Sequence, residues 1–187
     1  MPAVHNVGVD VTFLRMDRPV MGMVPGLPVA ACVAVVPRCS VGFYRYLYNT
    51  VGQDYCWWLR RTLSDTDLAE ILCNGQVEIH VLTLKGEPAG FYELDRGQAP
   101  LVNLSYFGLM PWALGGGLGY ALLHHAIFNA WQGERCSAVT VNTCTADHPR
   151  ALPNYIKAGF RKLRTVSEEW PVPESLGLKI PKHLLLG

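Results

Sequence analysis

Hydrophobic and polar positions alternate, run or recur along this chain in a way that marks most of its elements. Val9 to Met16 alternates with period two and predicts a strand with Val9, Val11, Phe13 and Arg15 on one face. Val29 to Val36 is a continuous valine-rich run between Pro28 and Pro37, the pattern of a strand buried on both faces. Ser40 is placed to cap a helix that runs to about Val51, with Phe43, Tyr44, Leu47 and Tyr48 at helical spacing. Ser64, with Asp67 three residues on, predicts a second helix that carries Leu68, Ile71 and Leu72 and stops at Asn74-Gly75.

The second half is more regular. Val77 to Leu84 and Pro88 to Leu94 alternate on either side of Lys85-Gly86-Glu87, which predicts an antiparallel hairpin. Leu101 to Met110 follows as a third antiparallel strand. Leu118 to Trp131 reads as a helix, apolar except for His125, Asn129 and Gln132, and His124 and His125 are expected to face solvent. Ala138 to Cys144 is a strand, and Asp147 is placed to cap a helix that ends at Gly159. Phe160 to Val166 completes the core, and the proline-bearing tail reads as irregular.

Composition narrows the class. A chain of 187 residues that is 50% hydrophobic and 17% charged is globular and long enough for a core. Its net charge of +1, with no run of like charges, argues against a nucleic-acid partner. Six cysteines without a C-x-x-C pair suggest neither a metal site nor a disulfide framework. The first residues lack a basic, then apolar, leader, and no apolar run is long enough for a bilayer, so a soluble cytoplasmic protein without a membrane partner is expected. One domain is expected over residues 1–187, with a strand and proline-rich arm in 1–28 and a tail in 167–187.

Candidate chemistry concentrates in Asn103 to Leu123. A strand there meets Pro111, passes Gly115, Gly116, Gly117 and Gly119, and becomes a helix. Bare amides and the helix dipole converge at such a start, which suits an anion, here a pyrophosphate. Tyr120 and Ala121 replace the Lys-[Ser/Thr] of a Walker loop, and the G-x-G-x-x-G spacing fails.

The loop, preceded by Leu-Met-Pro and followed by the run A-L-P-N-Y-I-K-A-G-F, resembles the GNAT superfamily of acyl-CoA-dependent acyltransferases over residues 76–166. Gly117 and Gly119 fit the last two fixed positions of its [Gln/Arg]-x-x-G-x-[Gly/Ala] loop, whereas the first is Leu114. Ala151, Tyr155, Gly159 and Phe160 match its second helix in register. The resemblance implies an α/β (α+β) GNAT fold. That is a mixed, mostly antiparallel sheet of six to seven strands with about four helices, whose central parallel strands splay apart.

It also implies acetyl-CoA, or another acyl-CoA, as cosubstrate and no metal. The acyl-CoA would lie on Leu109, Met110, Leu114, Gly115, Gly116, Gly117, Leu118, Gly119, Tyr120, His148 and Tyr155. Tyr155 is the candidate general acid. His148 stands where the family often has Asn, and serves the cofactor arm, titrates, or finishes a helix cap. The family's Glu early in this strand is Asn103 here, so Glu93 is the substitute base, with Glu78, Asp95 or ordered water as alternatives. Tyr44, Tyr48, Trp57, Trp58 and Tyr106 are candidates for an aromatic acceptor cleft, and Arg60 and Arg61 either join it or only pack. Cys144 offers a covalent route, against the family habit of direct transfer. The implied reaction is acetyl transfer to a primary amine on a small molecule or a peptide N-terminus. The alternatives are an acyl-CoA-binding protein without transfer activity and transfer to a non-amine acceptor. The arm and the tail are candidate contacts of a homodimer.

Overall fold

The computed structural model describes residues 3–20, 25–132 and 136–186; the middle of the expected N-terminal arm, residues 21–24, lies outside them. Among the described residues seven strands form one sheet: β1 (Val4–Met16), β2 (Ala31–Val35), β3 (Val77–Leu84), β4 (Glu87–Asp95), β5 (Leu101–Leu109), β6 (Ala138–Cys144) and β7 (Arg161–Pro173). Four helices accompany them: α1 (Val41–Gly52), α2 (Asp65–Cys73), α3 (Leu118–Trp131) and α4 (Ala151–Lys157). The order across the sheet is β2-β3-β4-β5-β6-β1-β7, and β5 and β6 are its parallel pair.

Local chemistry explains much of this. The Ser40 hydroxyl accepts from the Phe43 amide at 3.3 Å and starts α1. Ser64 does the same for Asp67 at 3.1 Å and starts α2. Lys85 and Gly86 both have positive φ, 52° and 88°, as a two-residue hairpin turn requires. Tyr44, Leu47, Phe91 and Met110 fill a core under α1 and α2, whereas Leu104, Leu122 and Phe160 fill another under α3 and α4.

Four expectations need correction. The run from Val29 to Val36 is not a doubly buried strand: β2 is a five-residue edge strand, mostly exposed, and among the described strands it pairs with β3 alone. A run of apolar residues fixes strand propensity but not what lies beyond it. In β1 the expected Phe13–Arg15 face breaks, because a bulge between Phe13 and Leu14 turns Leu14 and Met16 inward instead. The tail is not irregular up to Pro173: β7 absorbs Pro171 and Pro173 because it is an edge strand, where a missing N–H costs no ladder bond. His125 is not solvent-facing either. Its Nδ1 is hydrogen-bonded with the Tyr92 hydroxyl at 3.0 Å, and burial first, then His80, lowers its basicity. His124 is half-buried against Tyr120, with ring centroids 4.6 Å apart.

The placement of β1 positions the rest. It inserts between β6 and β7, antiparallel to both, so the N-terminal strand closes the half of the sheet beyond the parallel pair. The strand that precedes α1 and α2 is therefore β2, at the opposite edge.

Candidate active site

Pairing between β5 and β6 runs from Leu101↔Ala138 to Leu104↔Val141 and then stops. Beyond it Ser105–Leu109 and Asn142–Cys144 diverge, and a cavity of about 1280 Å³ opens between them. The Met110 amide donates to Ala89 at 2.9 Å, on the β4 side. Bonds alternate along an antiparallel strand, so the Leu109 amide points the other way, into the gap.

The glycine loop lies at one end of this cavity. Gly115 and Gly117 hold φ of 89° and 77°, which side-chain-bearing residues rarely adopt, and Gly117 is the left-handed residue from which α3 starts. The first amides of α3 lack intrahelical partners, and among the described residues no side chain caps them. Those free donors, and a strand edge left open alongside, fit a diphosphate on an extended arm. Leu114, Gly115, Gly117, Gly119, Tyr120, His148, Tyr155 and Leu109 line the cavity. Met110 does not, being fully buried beneath α1, and Leu118 turns into the core under α3. Gly116 is exposed and likewise lies off the wall.

Tyr155 projects from α4 to the gap and packs edge-on against Phe107 and Phe160. Among the described residues no group hydrogen-bonds its hydroxyl. Burial, with Asp147 adding to it, pushes that phenol well above the ordinary tyrosine value and keeps its proton on. The His148 Nδ1 accepts from the Arg150 amide at 3.1 Å, so this imidazole finishes the turn into α4 and lines the cavity as well. Asp147 is not the cap of α4. Its carboxylate accepts from the Thr143 hydroxyl at 2.7 Å, the Cys144 amide at 3.0 Å and the Trp57 indole at 3.4 Å.

The three carboxylates weighed as a base lie off the cavity wall. Glu93 is 0% exposed and is held by the Tyr44 hydroxyl and by Arg60 Nη2 at 2.7 Å. Burial raises its pKa, and Arg60 only partly opposes that. Glu78 pairs with Arg96 at 2.6 Å, and Asp95 accepts from the Gly97 amide. Tyr44 is buried with Glu93 and is also off the wall, which corrects its assignment to the acceptor cleft.

Tyr48, Trp57, Trp58 and Tyr106 do line the cavity, and Tyr48, Trp57 and Tyr106 meet with centroids 4.9 to 5.2 Å apart. Arg60 joins them, with its guanidinium 5.5 Å from the Tyr106 centroid. Arg61 instead ties the turn after α1 together through Trp57, Asn49 and Gln53. Cys144 lines the gap with its thiol pushed up to about 12, by burial first and then Asp147. Asp147, Glu168 and Trp170 are among the wall residues that sequence reasoning missed, as are Tyr55, Arg150 and Asn154. Alternation along β7 would have put Glu168 and Trp170 on one face had the tail been read as a strand.

No family model matches the sequence, and no curated protein does. Solved structures match in fold. A GCN5-related N-acetyltransferase from Kribbella flavida aligns at TM-score 0.61 and 16% identity, over 92% of this chain and 63% of that one. A tandem GNAT protein from the clavulanic acid biosynthesis pathway aligns at 0.58 and 14%, over 89% and 55%. A GCN5-related N-acetyltransferase from Sphaerobacter thermophilus aligns at 0.57 and 16%, over 91% and 54%. The chain thus spans 54 to 63% of these three chains. Its mixed sheet with one parallel pair has the GNAT fold. Among the described residues no helix is long and apolar enough to cross a membrane.

Proposed function

We propose that the protein is an acyl-CoA-dependent N-acyltransferase that moves an acetyl group to a primary amine by direct attack. The observation that carries this reading is the cavity itself: parallel strands that part beside an uncapped, glycine-led helix start, with a free phenol at the opening.

When bound, acetyl-CoA supplies an activated thioester carbonyl. The amides of Gly115 to Tyr120 and the α3 dipole hold its diphosphate without a side-chain cation, since Leu114 is 44% exposed and apolar. The Leu109 amide, aimed into the gap, donates to the carbonyl oxygen as charge builds there; one such donor contributes about 10²–10³ in rate. Tyr155 keeps its proton and delivers it to the departing sulfur. Trp57, Trp58 and Tyr106 wall the acceptor. Glu93, behind that wall, holds Arg60 in place, and the amine loses its proton through water. Asp147 accepts three hydrogen bonds at the rim, which orders the loop that carries Trp57.

Incubation with acetyl-CoA and a panel of primary amines tests the reading, with free CoA as the readout. Release that depends on the amine is expected. A rise in melting temperature with acetyl-CoA but no release with any amine would leave binding without transfer.

A further inference from the structure

We infer that the acceptor site selects amines that carry a second cationic group, and that Glu168, Trp170 and Trp58 bind that group; this rests on the acyltransferase reading above. The two indoles meet at 6.5 Å between centroids and 49° between planes, a corner on the cavity wall. Glu168 lies two residues from Trp170 on the same face of β7, and its Oε2 accepts from the Trp170 indole at 2.8 Å. That bond leaves Oε1 without a partner among the described residues.

Charge on the wall points the same way. The Arg60 guanidinium is matched by buried Glu93 at 2.7 Å. Asp147 is taken up by its three donors. Among the described residues Glu168 has no cationic partner, and the other cation on the wall, Arg150, forms no ion pair with it. A half-buried carboxylate beside two large aromatic rings is the chemistry that recognises an ammonium group, through charge and ring quadrupole together. A monoamine leaves this corner empty, and an amino acid of similar length brings a second carboxylate to it.

Calorimetric titration of the full chain with 1,6-diaminohexane, hexylamine and 6-aminohexanoate tests the inference without turnover. The diamine is expected to bind about tenfold more tightly than hexylamine, with 6-aminohexanoate the weakest. Glu168→Gln should remove most of that tenfold preference and Trp170→Leu part of it. Glu169→Gln, on the exposed opposite face, should leave it intact. Equal binding of diamine and monoamine, a preference untouched by Glu168→Gln, or no binding of any of the three overturns the inference. Selective diamine binding with no CoA release sustains it and removes the transferase reading. CoA release that favours 6-aminohexanoate does the reverse.

Discussion

The indole of Trp57 donates to Asp147 across 90 residues of sequence, 3.4 Å between heavy atoms, and ties the aromatic wall of the cavity to the turn between β6 and α4. The same carboxylate holds the Thr143 hydroxyl and the Cys144 amide where the two central strands part. Its loss strands three donors at once. Asp147→Ala is expected to cost about 2–3 kcal/mol in urea unfolding, whereas Trp57→Phe, which removes one long bond and keeps the ring packing, should cost about 1 kcal/mol. Equal losses would mean that the carboxylate does not organise this corner.

Tyr155→Phe tests the acid directly. The ring keeps its contacts with Phe107 and Phe160, so the fold and acetyl-CoA binding should be unchanged. The rate of CoA release should fall about 10²-fold, the ordinary contribution of a positioned proton donor. Retention of the full rate would remove Tyr155 from the mechanism.

Arg60 and Glu93 form a buried pair whose members cannot be removed singly without cost. Arg60→Met leaves a carboxylate with 0% exposure and no cation, and should cost about 3–5 kcal/mol near neutral pH. Glu93 already has a raised pKa through burial, and loss of Arg60 raises it further. A raised carboxyl binds its proton more tightly in the folded state. The variant should therefore lose stability as pH rises above the ordinary value of 4.5, until the group ionises in the folded state. Arg60→Met combined with Glu93→Leu should recover most of the loss and flatten that dependence.

The elements that position the glycine-loop end of the cavity were readable because each depends on local rules. Ser40 and Ser64 are caps, Lys85-Gly86 is a turn, and the glycines before Leu118 suit only a tight approach to a helix start. The match of Ala151, Tyr155, Gly159 and Phe160 put the phenol on a helix, and the structure has it at the gap. The aromatic end was less readable. Trp57 and Trp58 were legible as a pair of large rings, but their partners Asp147 and Trp170 come from strands and loops far along the chain. The insertion of β1 between β6 and β7 is a matter of topology that no period-two pattern encodes. Glu93 shows the same limit: alternation places it in β4, but which face of the sheet is wet depends on α1 lying over it.

Cys144 is on the cavity wall, yet its thiol is pushed up to about 12 and is almost wholly protonated at neutral pH. A thiolate nucleophile is therefore scarce there. Cys144→Ser should change the rate of CoA release by less than about threefold, since a thiol that keeps its proton is not the nucleophile, and no acyl group should be recovered on the protein after denaturation. A stable acyl adduct, lost in the serine variant, would instead establish a covalent route.

Acid stability should depend on Glu78. Its carboxyl is depressed from 4.5 to about 2, by the hydrogen bond from His80 first and that from Arg96 next, against burial. A depressed carboxyl contributes stability above its unfolded value and loses it as pH falls through the folded one, so the window lies between about pH 4.5 and 2. Arg96 carries the consequence further, because it also donates to the carbonyls of Asn129 and Ala130, at 3.0 and 3.2 Å, at the end of α3. Protonation of Glu78 releases a guanidinium that holds the far end of the helix whose first turn is proposed to grip the diphosphate. Glu78→Gln should lower the urea midpoint at pH 7 and make it less sensitive to acid across that window. The amides of Asn129, Ala130 and Trp131 should exchange faster with solvent in the variant, whereas those near Leu122 should not change. If the wild type and Glu78→Gln lost stability in parallel between pH 4.5 and 2, the acid sensitivity would belong to other carboxyls.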